Sequence, residues 1–119
     1  MVNVMSFGFK NGVPLDADFM FDVRFLANPY YELELRSQTG LDTSVSEYVL
    51  EQPKALETVE SISTLMEKWI PLHAAAGKTF LTVAIGCTGG QHRSVAITQA
   101  LVDSLNERFT LVTAMHRDL

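Results

Sequence analysis

"TFLTVAIGCTGGQHRSVAI" (79–97) is the stretch whose reading decides the fold. Its first eight residues are almost all apolar, with Thr, Val and Ile prominent. That pattern predicts a strand over 79–86 buried on both faces, as in a parallel sheet. The next eight, "CTGGQHRS" (87–94), turn abruptly polar and small. A helix is expected from about residue 92 to 108, with Ile97, Leu101 and Leu105 on one stripe. "TLVTAM" (110–115) then reads as a further strand. Strand, helix and strand in that order predict a right-handed parallel crossover.

Upstream, "VNVMSFGF" (2–9) and "FMFDVRF" (19–25) read as strands separated by a loop with breakers at Gly12 and Pro14. Residues 26–42 look irregular, broken by Pro29 and Gly40, and long enough to mark a functional loop. Ser44 and Glu47 form a possible capping box for a short helix over 45–52. Pro53 suits the first turn of a longer helix ending near Gly77. Its apolar face is expected from Leu56, Val59, Ile62, Leu65, Met66, Trp69 and Ile70. The fold class is therefore α/β: an open, mostly parallel four-stranded sheet with helices packed on it. Residues 1–119 read as one domain, without repeats or linkers.

Composition narrows the function. A hydrophobic content of 47% with four prolines describes a folded globule. The single cysteine forbids an internal disulfide and suits the cytoplasm. No apolar run is long enough to span a membrane, and the first ten residues lack the pattern of a signal peptide. The formal net charge of -5, with only nine Lys and Arg, disfavours general nucleic-acid binding. No metal-ligand spacing exists among three scattered His and one Cys, so neither a metal nor a cofactor is expected.

An anion site is expected at the carboxyl ends of the strands, where ligands of open parallel sheets bind. Lys10, Arg24, the 87–94 loop, and His116 with Arg117 follow the four predicted strands and would share that edge. Gly89 and Gly90 let backbone amides turn inward, and the following helix would aim its positive end at the same point. Arg93 supplies a fork for phosphate oxygens. Thr88 and Ser94 supply hydroxyls, His92 a further donor, and Gln91 completes the loop.

A catalytic alternative uses the same loop. Cys87, Gly90, Arg93 and Ser94 satisfy C-x-x-G-x-x-R-S, which resembles the active-site loop of cysteine-dependent phosphatases. On that reading Cys87 is the nucleophile, Arg93 holds the phosphate and Ser94 assists. Gly86 stands where those enzymes usually place a His. The general acid would come from Asp16, Asp18, Asp22 or Asp42.

With the flanks included, a second resemblance emerges. "SFGFKNGVPLDADFMFDVRFLANPYYELELRSQTGLD" (6–42), "LTVAIGCTGGQHRSVAI" (81–97) and "HRDL" (116–119) resemble the C-terminal domain of the RapZ family of RNase adapter proteins. That resemblance implies a non-enzymatic phosphosugar sensor, similar to part of phosphofructokinase, that binds glucosamine-6-phosphate. It also implies contributions to small-RNA binding and self-association, beside a P-loop partner domain. It assigns ligand contacts to Lys10, Arg24, Asn28, Cys87, Thr88, Gly89, Gly90, His92 and Arg93, with Cys87 binding rather than attacking. The chain departs from the family in three ways. It carries no G-x-x-x-x-G-K-[ST]. Tyr30 stands where some members have His. No basic tail follows "HRDL".

Several residues have competing roles. Tyr30 and Tyr31 can stack on a sugar or simply pack the loop. Asp22 and Arg24, two apart, share a face and can pair. Arg36 can contact a ligand or partner but reads first as a solvated loop charge, Met66 and Trp69 read as core, and His73 as a surface residue at a helix end. His116 and Arg117 divide evenly between ligand and structural roles.

Overall fold

A computed structural model describes all of residues 1–119. Strands β1 (Val2–Gly8), β2 (Phe19–Asp22), β3 (Leu81–Cys87) and β4 (Val112–His116) form one sheet in the order β2-β3-β1-β4, with every pairing parallel. Helices α1 (Thr43–Leu50), α2 (Pro53–Ala75) and α3 (Arg93–Leu105) complete the α/β architecture. Helix α3 lies across β1, between β3 and β4, and α1 and α2 pack against α3. Alternate strand residues meet the helices: Val2 and Val4, then Leu81, Val83, Ile85 and Cys87, then Val112. The register of β1 with β3 brings Gly8 beside Cys87, so the exits of the two central strands are neighbours. Because β3 separates β1 from β2, the segment from Phe9 to Asp18 has to cross it.

Several boundaries differ from expectation for local reasons. Strand β2 ends at Asp22 rather than at residue 25. The Asp22 carboxylate accepts the Arg24 backbone N–H at 2.9 Å, which turns the chain out of the sheet. Helix α1 starts earlier than predicted, with Asp42 at the N-cap position, so Ser44 and Glu47 form no capping box. Asp42 instead accepts the Thr39 N–H at 2.8 Å. Pro53 does open α2. Its end is a Schellman turn: Lys78 N donates to His73 O at 2.9 Å and Gly77 N to Ala74 O at 3.0 Å, with Gly77 at φ 95°.

The buried face of α2 contains Ala55, Val59, Ile62, Met66 and Ile70. Leu56, predicted to be inside, is 55% exposed because Ala55 points inward instead. Trp69 is 40% exposed and sits at the rim, its ring centroid 5.8 Å from that of Phe19. His73 packs edge-on to the same Phe19 at 5.3 Å.

His116 lies on the helix-facing side of β4, where it shares a 2.7 Å hydrogen bond with buried Ser6. Its Nε2 is buried without a partner, and burial holds the imidazole below its ordinary value of 6.5. The unfolded chain therefore takes up this proton at a higher pH than the folded one. Stability is complete above the ordinary value and declines as pH falls from there toward the folded value. Denaturation midpoints at about pH 7.5 and about pH 5.5 should show this decline, and His116→Gln should flatten it. An equal slope in the variant would assign the effect to other groups.

Candidate functional site

The loop between β3 and α3 is seated by glycine contacts. Gly90 has φ 76°, and a Cβ there would lie 2.5 Å from Gly8 N. A Cβ on Gly8 would meet the Gly89 backbone, and one on Gly40 would lie 2.5 Å from His92 O. The loop is thus held from two sides. Lys10 N donates to Thr88 O at 3.2 Å, and Gly40 N to Gln91 O at 2.8 Å.

Beside this loop is a cavity of about 350 Å³. It gathers Lys10 from the turn after β1, Asn28, Tyr30, Tyr31 and Arg36 from the segment after β2, and Cys87, Thr88, Gly89, Gln91, His92 and Arg93 after β3. Three of these residues are cationic, Lys10, Arg36 and Arg93, and none is Asp or Glu. A wider groove of about 550 Å³ runs between β2 and α2, but Lys54 is its one cation beside Asp22 and Glu57. The smaller cavity is therefore the one suited to an anion.

Arg93 is buried, and its guanidinium is already engaged. Nη1 donates to Arg24 O at 2.8 Å and to Leu26 O at 3.0 Å, while Nη2 donates to Thr88 Oγ1 at 3.3 Å. Nε is buried and has no partner. This side chain fastens the exit of β2 to the loop while facing the cavity. His92 fastens a second point: its Nε2 donates to Arg36 O at 3.2 Å, since a carbonyl can only accept. Arg36 then donates from Nε to Tyr30 O at 2.8 Å and lies 4.5 Å over the Tyr30 ring. Cys87, also buried, donates from Sγ to Ser94 Oγ at 3.0 Å.

A family model described as the RapZ C-terminal domain matches residues 1–119. The chain belongs to this family. Two relatives, from Pseudomonas fluorescens strains Pf0-1 and Pf-5, are each named a nucleotide-binding protein. Each is 51% identical over 116 residues, which cover 98% of this chain. The chain spans 41% of the length of these relatives.

This RapZ C-terminal domain brings together nine of the twelve candidate ligand residues, Lys10, Asn28, Tyr30, Cys87, Thr88, Gly89, Gln91, His92 and Arg93, with Tyr31 and Arg36 beside them. Arg24, Gly90 and Ser94 do not line the cavity. Arg24 folds back onto Asp22, with Nη2 2.6 Å from Oδ2, and sits 3.9 Å over the Phe9 ring. This is an exposed pair, and it holds the Asp22 carboxyl below its usual range. Gly90 packs against β1, and Ser94 lies beneath Cys87. His116 points into the helix layer rather than to the loop. Arg36, for which the sequence favoured a solvated charge over a ligand contact, lines the cavity. Its segment has no periodicity, and its place is fixed by the His92 bond to its carbonyl and by its own contacts with Tyr30.

The phosphatase alternative meets two geometric facts. None of Asp16, Asp18, Asp22 and Asp42 lines the cavity. The space beside Gly86, where a His would stand, is filled by the rings of Phe7 and Phe9.

Proposed function

We propose that this chain is a non-enzymatic binding domain for a phosphorylated sugar such as glucosamine-6-phosphate. The observation that carries the reading is the cavity lined by Lys10, Arg36 and Arg93, without a carboxylate, at the start of α3. Phosphate occupies the Thr88–Arg93 side, within reach of Lys10. The sugar meets Asn28, Tyr30 and Arg36. The name of the relatives adds nucleotides as a competing phosphate ligand, although the chain carries no P-loop motif of its own. Self-association belongs to the same reading and is measured by light scattering.

Calorimetric titration with glucosamine-6-phosphate, glucosamine, inorganic phosphate and ATP tests it. The phosphosugar should bind, unphosphorylated glucosamine should not, and phosphate alone should bind more weakly. Lys10→Ala should weaken phosphosugar binding about tenfold, the value of one charge-assisted contact. Lys10 is the informative residue because its ammonium holds no structural bond, whereas Arg93 holds three. Tighter binding of ATP than of any phosphosugar would replace the reading with a nucleotide one. Turnover of an aryl phosphate that is lost in Cys87→Ser would replace it with the phosphatase.

A further inference from the structure

We infer that Asp118, gripped by Arg117, is a positioning residue of this site, which holds the β1 exit against the glycine loop without reaching the cavity. The inference rests on the reading of the cavity as an anion site. Its basis is a set of contacts after β4. Arg117 N donates to Ser6 O at 3.1 Å, which carries the β4–β1 pairing one residue beyond the strand. Asp118 thereby arrives beside Gly8 and accepts the Gly8 N–H through Oδ2 at 2.7 Å. Arg117 donates to the same carboxylate from Nε at 3.1 Å and from Nη2 at 2.9 Å. Arg117 Nη2 also donates to Gly12 O at 2.6 Å.

One ion pair therefore holds Gly8 and Gly12, the two ends of the turn that carries Lys10. That turn is also where the loop is seated. A Cβ on Gly90 would lie 2.5 Å from Gly8 N and 3.0 Å from Asp118 Cβ. Gly8, Gly90 and Asp118 thus meet with no side chain between them. The side chains of Arg117 and Asp118 are 25% and 12% exposed, against 47% and 45% for Arg24 and Asp22. The more buried pair is less screened and holds its geometry better. Arg117 and Asp118 are both absent from the cavity lining, so their effect on a ligand has to pass through the turn and the loop. Because Arg117 neutralises Asp118, the carboxylate adds no net repulsion toward an anion.

The experiment measures phosphosugar affinity for Asp118→Ala and Asp118→Asn, each with Lys10 intact and with Lys10→Ala. Asp118→Ala should weaken binding about tenfold, a loss comparable to removing a group that orients a ligand contact. Asp118→Asn keeps an acceptor for the Gly8 N–H and should recover part of it. In the Lys10→Ala background the Asp118→Ala effect should shrink markedly; full additivity would overturn the inference. Amide hydrogen exchange gives a second readout that needs no ligand. Asp118→Ala, or Asp118→Asn if the first does not fold, should speed exchange at Gly8 and at Lys10, whose N–H is held by Thr88 O across to the loop, while Val4 and Val83 stay protected. If wild type binds no phosphosugar, the proposed function fails by itself. Unchanged exchange at Lys10 would separately overturn the role of Asp118.

Discussion

Gly90→Ala should destabilise the protein by at least ~3 kcal/mol and abolish anion binding. Two costs combine at this position. A side chain at φ 76° is strained by itself, by about 1 kcal/mol. The added methyl would also sit 2.5 Å from Gly8 N and 2.8 Å from Phe7 C. Those atoms belong to β1, which is paired on both sides and cannot retreat without breaking the sheet. Gly77 is the control: its φ is 95°, yet nothing lies within 4 Å of its Cβ position. It closes the Schellman turn of α2 in the left-handed region, so Gly77→Ala should cost only the strain, about 1 kcal/mol. Urea midpoints of the two variants make the comparison. Equal losses would mean that the loop is not seated on β1 as described.

Arg93→Ala should cost about 3 kcal/mol, because the buried Leu26 carbonyl and the part-buried Arg24 carbonyl lose a charged donor together. Its Nη1 is the donor to both Arg24 O and Leu26 O. The exit of β2 and the segment that carries Asn28, Tyr30 and Arg36 should loosen with it. Binding should vanish, but for two reasons at once: a lost anion contact and a lost scaffold. Arg93→Lys separates them in part. It keeps the charge but lacks the planar fork, so it should recover some affinity for inorganic phosphate and little of the stability. Thermal melts beside calorimetry test this; an unchanged melting temperature in Arg93→Ala would remove the stapling role.

Both predictions involve residues that stood out in the sequence, although for only part of their role. The glycine pair and the arginine were legible because a strand, a polar turn and a helix follow one another within 79–97. The phosphate-loop reading needed only that local order. The attachment of the loop to Gly8, Arg24 and Leu26 was not legible, since those partners lie more than sixty residues away. The Arg24 side chain shows a different limit. Its pairing with Asp22, two residues before it, was legible and forms at 2.6 Å, but the spacing did not show that the pair is exposed and leaves Arg24 outside the cavity.

By itself the sequence determined the element types, the parallel α/β class and the family, because these follow from periodicity, breakers and long ordered motifs. Leu56 and Trp69 mark its limit: helical spacing names a face but not where the core stops, and both lie at or beyond its rim. The tertiary structure alone decided the strand order β2-β3-β1-β4, and with it which strand exits are neighbours. It also decided which charges remain available. Arg24 and Arg117 are paired, Arg93 is half occupied as a staple, and Lys10 and Arg36 face the cavity. The physical reason is that a charged side chain takes the best partner within reach, and reach is set by folding rather than by spacing along the chain.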